Sequence, residues 1–278
     1  MFGTASTVRN WLLIEHDGPW GERPILDTRL PRGLVQELVR IDHTPGVRVL
    51  LIRKHRRSGG TPTRCFAIRS GPGECWVQRV ELDHVGDVLD LDLLALLEGR
   101  DPGLELVAEP LFLVCTHGRR DPCCAERGRP LARALAEAEP EASWESTHVG
   151  GDRFAGNVVA FPHGLYFGRV APSEADMVTA AYRRGRIDLA HYRGRSCYAM
   201  IVQAAEHFAR RELALAGVDD VTPVNIREQV EQATVTFETP NGSVDVTLER
   251  LWTEPRHLTC HAAGPLSAPE YRLVAVEA

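Results

Sequence analysis

Residues 111–170 constrain this chain more than any other stretch. They open L-F-L-V-C-T-H-G-R-R-D-P-C-C-A-E-R-G, so four apolar residues deliver Cys115 to the end of a strand. A Gly/Pro/Arg loop then holds Cys123 and Cys124 before a helix opens near Pro130. A second strand, residues 144–149, ends in the same manner with His148, Gly150, Gly151 and Asp152. Soft ligands leave one strand end and two more potential ligands leave the next. Such ends and the loops they feed are where function is usually grafted.

The surrounding pattern sets the fold class. After the strand at 111–115 and a helix at 130–138 with Leu131, Ala134, Leu135 and Ala138 inward comes the strand at 144–149. Residues 158–161 and 165–170 then read as a hairpin around Pro162-His163-Gly164, and Ser173 as the cap of a helix running to about Arg184. A βαβ unit followed by a hairpin and a helix is the thioredoxin-like arrangement. The same order precedes it: a strand at 10–15, a helix opened by Pro31, a strand at 47–53, a hairpin at 65–68 and 75–82, and a short helix at 89–97 ending at Gly99. The expectation is an α/β protein with two thioredoxin-like modules in tandem, residues 1–108 without ligands and 109–190 with them. Residues 191–278 read as an α+β C-terminal region that packs on the middle module. It has a helix at 199–214, a short helical turn at 226–230, a hairpin at 233–237 and 243–248 around Pro240-Asn241-Gly242, and strands at 258–261 and 271–276.

Composition narrows the function classes. A net charge of −6 argues against a dedicated nucleic-acid binder, and the basic run Lys54-His55-Arg56-Arg57 reads first as a solvated strand end. No apolar run approaches the roughly 18 residues needed to span a bilayer. Residues 1–9 lack a signal core, so a cytoplasmic protein is expected. Its seven cysteines are then reduced or metal-bound, and an odd number suits a disulfide framework poorly. No nucleophilic triad, P-loop, G-x-G-x-x-G or pair of carboxylates placed for glycoside chemistry stands out.

Cys115 and Cys124 lie nine positions apart, a separation that lets both thiolates converge on one ion or cluster. Thiolates prefer zinc, copper(I) or iron–sulfur clusters, although a buried cysteine is commonly just a small hydrophobe. His148 and Asp152 are four apart, with Gly150-Gly151 between them to let backbone N–H groups approach an anionic centre. Three alternatives stay open beside a cluster protein: a thiol–disulfide redox protein using the same cysteines, structural zinc on Cys115, Cys124 and His148, and a cluster-free binding protein. The histidines and Cys260 near the C-terminus look too scattered for a metal site.

The stretches V-C-T-H-G-R-R-D-P-C-C-A at 114–125, H-V-G-G-D-R-F-A-G-N at 148–157 and P-H-G-L-Y-F-G-R-V at 162–170 resemble the sucrase/ferredoxin-like family, relatives of thioredoxin-like [2Fe–2S] ferredoxins. W-L-L-I-E at 11–15 and Y-R-G-R-S at 192–196 also look like family landmarks. The resemblance implies an electron carrier, not an enzyme with its own substrate, that holds a [2Fe–2S] cluster and serves a redox protein partner. It carries two cysteine ligands onto Cys115 and Cys124 and the first histidine onto His148, while the second histidine falls on Asp152. The fourth ligand is then Asp152, Cys123 or His117. Arg119, Arg120, Arg127 and Arg153 flank the expected site, where they would steer an acidic partner.

Overall fold

The computed structural model describes residues 1–56, 62–260 and 262–277. Arg57 and the Ser-Gly-Gly-Thr loop after it, and His261 at the end of an expected strand, lie outside the described residues.

Four consecutive apolar residues, Trp11 to Ile14, make β1 (Asn10–Glu15) a strand buried on both faces. A short turn α1 (Pro24–Asp27) and helix α2 (Arg32–Asp42) lead to β2 (Val47–Arg53), which pairs parallel to β1. Leu34, Leu38 and Ile41 of α2 supply the buried stripe. The hairpin β3 (Thr63–Ser70) and β4 (Cys75–Leu82) then adds antiparallel on the other side of β1. The helix expected at 89–97 splits into a 3-10 turn at Val85–Asp90 and α3 (Leu93–Glu98), capped by Asp92 and stopped by left-handed Gly99. A two-residue strand β5 (Glu105–Leu106) closes this half.

The second half repeats that wiring. β6 (Leu111–Cys115) is followed by α4 (Pro122–Ala138) and the parallel strand β7 (Ser143–Ser146), then by the hairpin β8 (Val158–Phe161) and β9 (Leu165–Phe167) and by α5 (Ala175–Arg183). Strand order is β4-β3-β1-β2 in the first half and β9-β8-β6-β7 in the second, the same order position for position. This is the thioredoxin-like arrangement of a mixed α/β protein. The halves meet edge to edge where β2 pairs antiparallel with β7 through Ile52↔Ser146 and Arg53↔Glu145, giving one ten-stranded sheet.

That sheet is rolled. Four strand spacings separate β1 from β8, about 19 Å in a flat sheet. Yet the Trp11 and Phe161 rings lie 5.0 Å apart edge to face. The concave side therefore forms one core shared by both halves, with Trp11, Leu13, Leu113, Trp144 and Tyr166, and Cys115 and Cys124 belong to it.

The last strand of the large sheet, β10 (Tyr192–Arg195), pairs with β9, so the Y-R-G-R landmark is a buried edge strand. Helix α6 (Met200–Glu212) then packs on a separate four-stranded sheet of β11 (Thr222–Glu228), β12 (Gln232–Thr239), β13 (Gly242–Trp252) and β14 (Pro269–Glu277). Alternating Ala233, Val235, Phe237 and Val244, Val246, Leu248 face Ala205, Phe208 and Ala209. The N-terminal segment joins this region: Phe2 stacks on His207, and the Ala5 amide donates to Gln203 at 3.0 Å.

Several expectations need correcting. Helix α4 starts at Pro122 instead of Pro130, because Asp121 accepts the Cys123 amide at 3.0 Å as N-cap and Pro122 takes the first helical position. Cys123 and Cys124 are thus in a first turn, not a loop. β7 stops at Ser146, so His148 stands two residues beyond the strand, in the loop to Gly151. Ser173 is not the cap of α5: it lies in a 3-10 turn, Pro172–Glu174, closed by the Ala171 amide donating to the Glu174 carboxylate at 2.8 Å, and Glu174 precedes the helix. Ile226 and its neighbours form edge strand β11 instead of a helical turn, since ladder bonds to β12 override a weak helical preference. Residues 258–260 form no strand.

Candidate metal centre

Helix α4 carries Cys124 to the C-terminal end of β6. Gly128 makes the approach possible, because a Cβ there would lie 2.1 Å from the Cys115 carbonyl oxygen. The loop after β7 turns back through left-handed Gly150 and Gly151, with φ of 92° and 75°, and presents His148 to the same spot. Arg193 underpins that loop, donating to Gly150 O at 3.3 Å and to Asn157 Oδ1 at 2.7 Å.

Three of the expected ligands meet. The donor atoms of Cys115, Cys124 and His148 all lie within 4.8 Å of one another, with His148 Nδ1 3.9 Å from Cys115 Sγ and 3.7 Å from Cys124 Sγ. Both cysteines are buried and the histidine is half-buried. His148 also lines a groove of about 400 Å³ together with His117, Arg120 and Thr147, so the site has a route to solvent.

The two thiols titrate as a pair. A hydrogen bond from Cys124, aided by His148, holds Cys115 well below the usual thiol range against the effect of burial. The same bond, then burial, pushes Cys124 up. A metal ion binding both sulfurs would displace the proton that the pair shares.

Asp152 stands apart from this trio, outside the mutual 4.8 Å set. It is buried, and no N–H or O–H reaches its Oδ2. Its neighbour is a second buried carboxylate, Asp121. Burial and then Asp121 raise the Asp152 carboxyl above its ordinary range. Asp121 is drawn down to about 2: burial opposes this, but hydrogen bonds from Asp152 and Cys260 prevail. A carboxylate oxygen left without a donor beside another carboxylate is satisfied by a shared proton or by a cation. The two thiolates and the imidazole fit a metal centre, and the Asp152 oxygen lies outside their mutual 4.8 Å set.

The other fourth-ligand candidates point elsewhere. His117 bonds the Gly21 carbonyl through Nε2 at 2.7 Å, and burial lowers its pKa. Cys123 faces Cys260, with 2.7 Å between the sulfurs. Sequence reasoning missed Asp121, although Asp-Pro ahead of a helical run is an N-cap signal. It set Cys260 aside as too scattered for a metal site, whereas the fold brings its sulfur together with Asp121 and Cys123.

A family model for sucrase/ferredoxin-like proteins matches residues 1–194. The chain belongs to the sucrase/ferredoxin-like family. The "Altered inheritance of mitochondria protein 32" of Meyerozyma guilliermondii is 34% identical over 99 residues, 32% of this chain and 35% of that protein. The match thus spans about a third of that relative. Two cysteine-to-serine variants of the thioredoxin-like [2Fe–2S] ferredoxin from Aquifex aeolicus align with 30% of this chain and 97% of theirs at 20% identity, with TM-scores of 0.28 and 0.27. Likenesses that slight carry no argument, and the strand order of this sucrase/ferredoxin-like chain stands by itself. No helix among its described residues is long and apolar enough to cross a membrane.

Proposed function

We propose that this protein is an electron carrier holding a [2Fe–2S] cluster on Cys115, Cys124, His148 and Asp152. The observation that supports this best is the convergence of three donors from β6, α4 and the loop after β7, beside a buried carboxylate oxygen with no donor of its own. Such a cluster supplies one-electron chemistry at a potential set by ligand charge. The chain's own residues do the rest. The rolled core around Cys115 and Cys124 excludes water, Arg193 fixes the loop bearing His148, and His148 lines the groove.

We read the two halves as tandem thioredoxin-like modules, residues 1–108 and 109–190, followed by the region 191–278. The partner we expect is a redox protein, met through the groove that His148 and Arg120 line. We expect a cytoplasmic location, in keeping with the free thiols.

A second reading rests on a specific distance. Zinc–sulfur and zinc–nitrogen bonds of about 2.3 and 2.1 Å give a tetrahedral S···N edge of roughly 3.6 Å. The 3.7 and 3.9 Å separations are close to that edge, which favours a single ion such as structural zinc. Anaerobic purification followed by iron, sulfide and zinc analysis decides between them. About two iron and two sulfide per chain support the cluster; one zinc with neither of them overturns it.

A further inference from the structure

Beside the trio of ligands lies a second group of reactive side chains: Asp121, Cys123 and Cys260 bring their ligand atoms within 4.8 Å of one another. Cys123 opens α4, and Cys260 lies 137 residues later in the connection between β13 and β14. One carboxylate aligns both. Asp121 accepts the Cys123 amide at 3.0 Å through Oδ1 and the Cys260 amide at 3.1 Å through Oδ2. The sulfurs are 2.7 Å apart, Cys260 is exposed and Cys123 is half-buried. By contrast, Cys115 and Cys124 are buried.

We propose that Cys123 and Cys260 form a reversible disulfide that fastens the connection between β13 and β14 over the Asp121–Asp152 end of the centre. Its oxidant is a small-molecule disulfide. The exposed Cys260 thiolate attacks one sulfur of the oxidant, forming a mixed disulfide and releasing one thiolate. Cys123 then attacks the Cys260 sulfur, closing the intramolecular bond and releasing the second thiolate. Two protein thiols become one disulfide and one oxidant becomes two thiols, the two protons passing to the leaving groups. Geometry selects this pair over Cys115 and Cys124: an incoming disulfide reaches an exposed sulfur, and the partner sulfur already waits in contact. The chain thereby gains a two-electron thiol couple next to the proposed one-electron centre, and it does not depend on that centre being loaded.

The test uses the protein purified without oxygen, treated with excess glutathione disulfide, alkylated with iodoacetamide and mapped by mass spectrometry without reduction. A linked peptide pair containing Cys123 and Cys260 should dominate, and dithiothreitol should reverse it. In Cys260→Ser the link should vanish, with Cys115 and Cys124 still unlinked. Alkylation of both Cys123 and Cys260 after oxidant, or a dominant Cys115–Cys124 link, overturns the proposal. So does a zinc ion that is lost in Cys260→Ser and blocks oxidation, which would make the trio a metal site. Iron content measured on the same samples separates the two ideas, because a linked pair without iron leaves the thiol couple standing alone.

Discussion

Cys124 and Asp152 carry different parts of the account. Cys124→Ser removes a soft ligand while leaving α4 and its cap in place, so iron per chain should fall at least about tenfold with little change in melting temperature. Unchanged iron would move the centre elsewhere. Asp152→His exchanges an anionic ligand for a neutral one. With one negative charge fewer the reduced state is favoured, and the midpoint potential should rise by on the order of 100 mV, toward the histidine-ligated class. A fall in an electrochemical titration would contradict the assignment of Asp152. His148→Cys runs the other way: a thiolate in place of a neutral imidazole adds negative charge, so the midpoint potential should fall toward the all-cysteine class.

Helix α4 determines whether the ligands meet at all. A methyl group on Gly128 would collide with the Cys115 carbonyl, so Gly128→Ala should destabilise the fold by roughly 1–3 kcal/mol and loosen metal binding, seen in urea unfolding and metal content. Strand β6 was legible to the residue, since Leu111–Cys115 is one apolar run between a proline and polar residues. The start of α4 was not, because Pro130 has the look of a first helical residue. The helix runs through it at the loss of one backbone bond, held by the Asp121 cap and by Leu131 and Leu135 against the sheet. The meeting of Cys115, Cys124 and His148 was readable from strand ends and spacing together with the family resemblance. Asp121 and Cys260 were not, since their meeting depends on where an irregular connection 137 residues away comes to rest.

At the scale of the molecule, the seam between β2 and β7 joins the two halves, and Glu145 is its buried anchor. Glu145 accepts from Arg53 at 2.7 and 2.9 Å and from Thr116 at 2.9 Å, and meets His55 Nδ1 at 2.9 Å. Burial alone would raise this carboxyl, yet Arg53 and His55 hold it below its ordinary value of 4.5. A depressed carboxylate adds stability above its ordinary pKa, and that stability is lost as pH falls through the lowered value. Glu145→Gln should therefore cost roughly 1–3 kcal/mol at neutral pH, with the difference from the parent protein shrinking below about pH 4 in denaturant titrations. The same rolled sheet that this seam completes encloses Cys115 and Cys124, so the central claim concerns what that enclosure holds. Electron paramagnetic resonance of the anaerobically purified protein, before and after dithionite, tests it most directly. The oxidised sample should be silent and the reduced one should show a spin-half signal integrating to about one per chain. Silence in both states, with zinc bound, would contradict it.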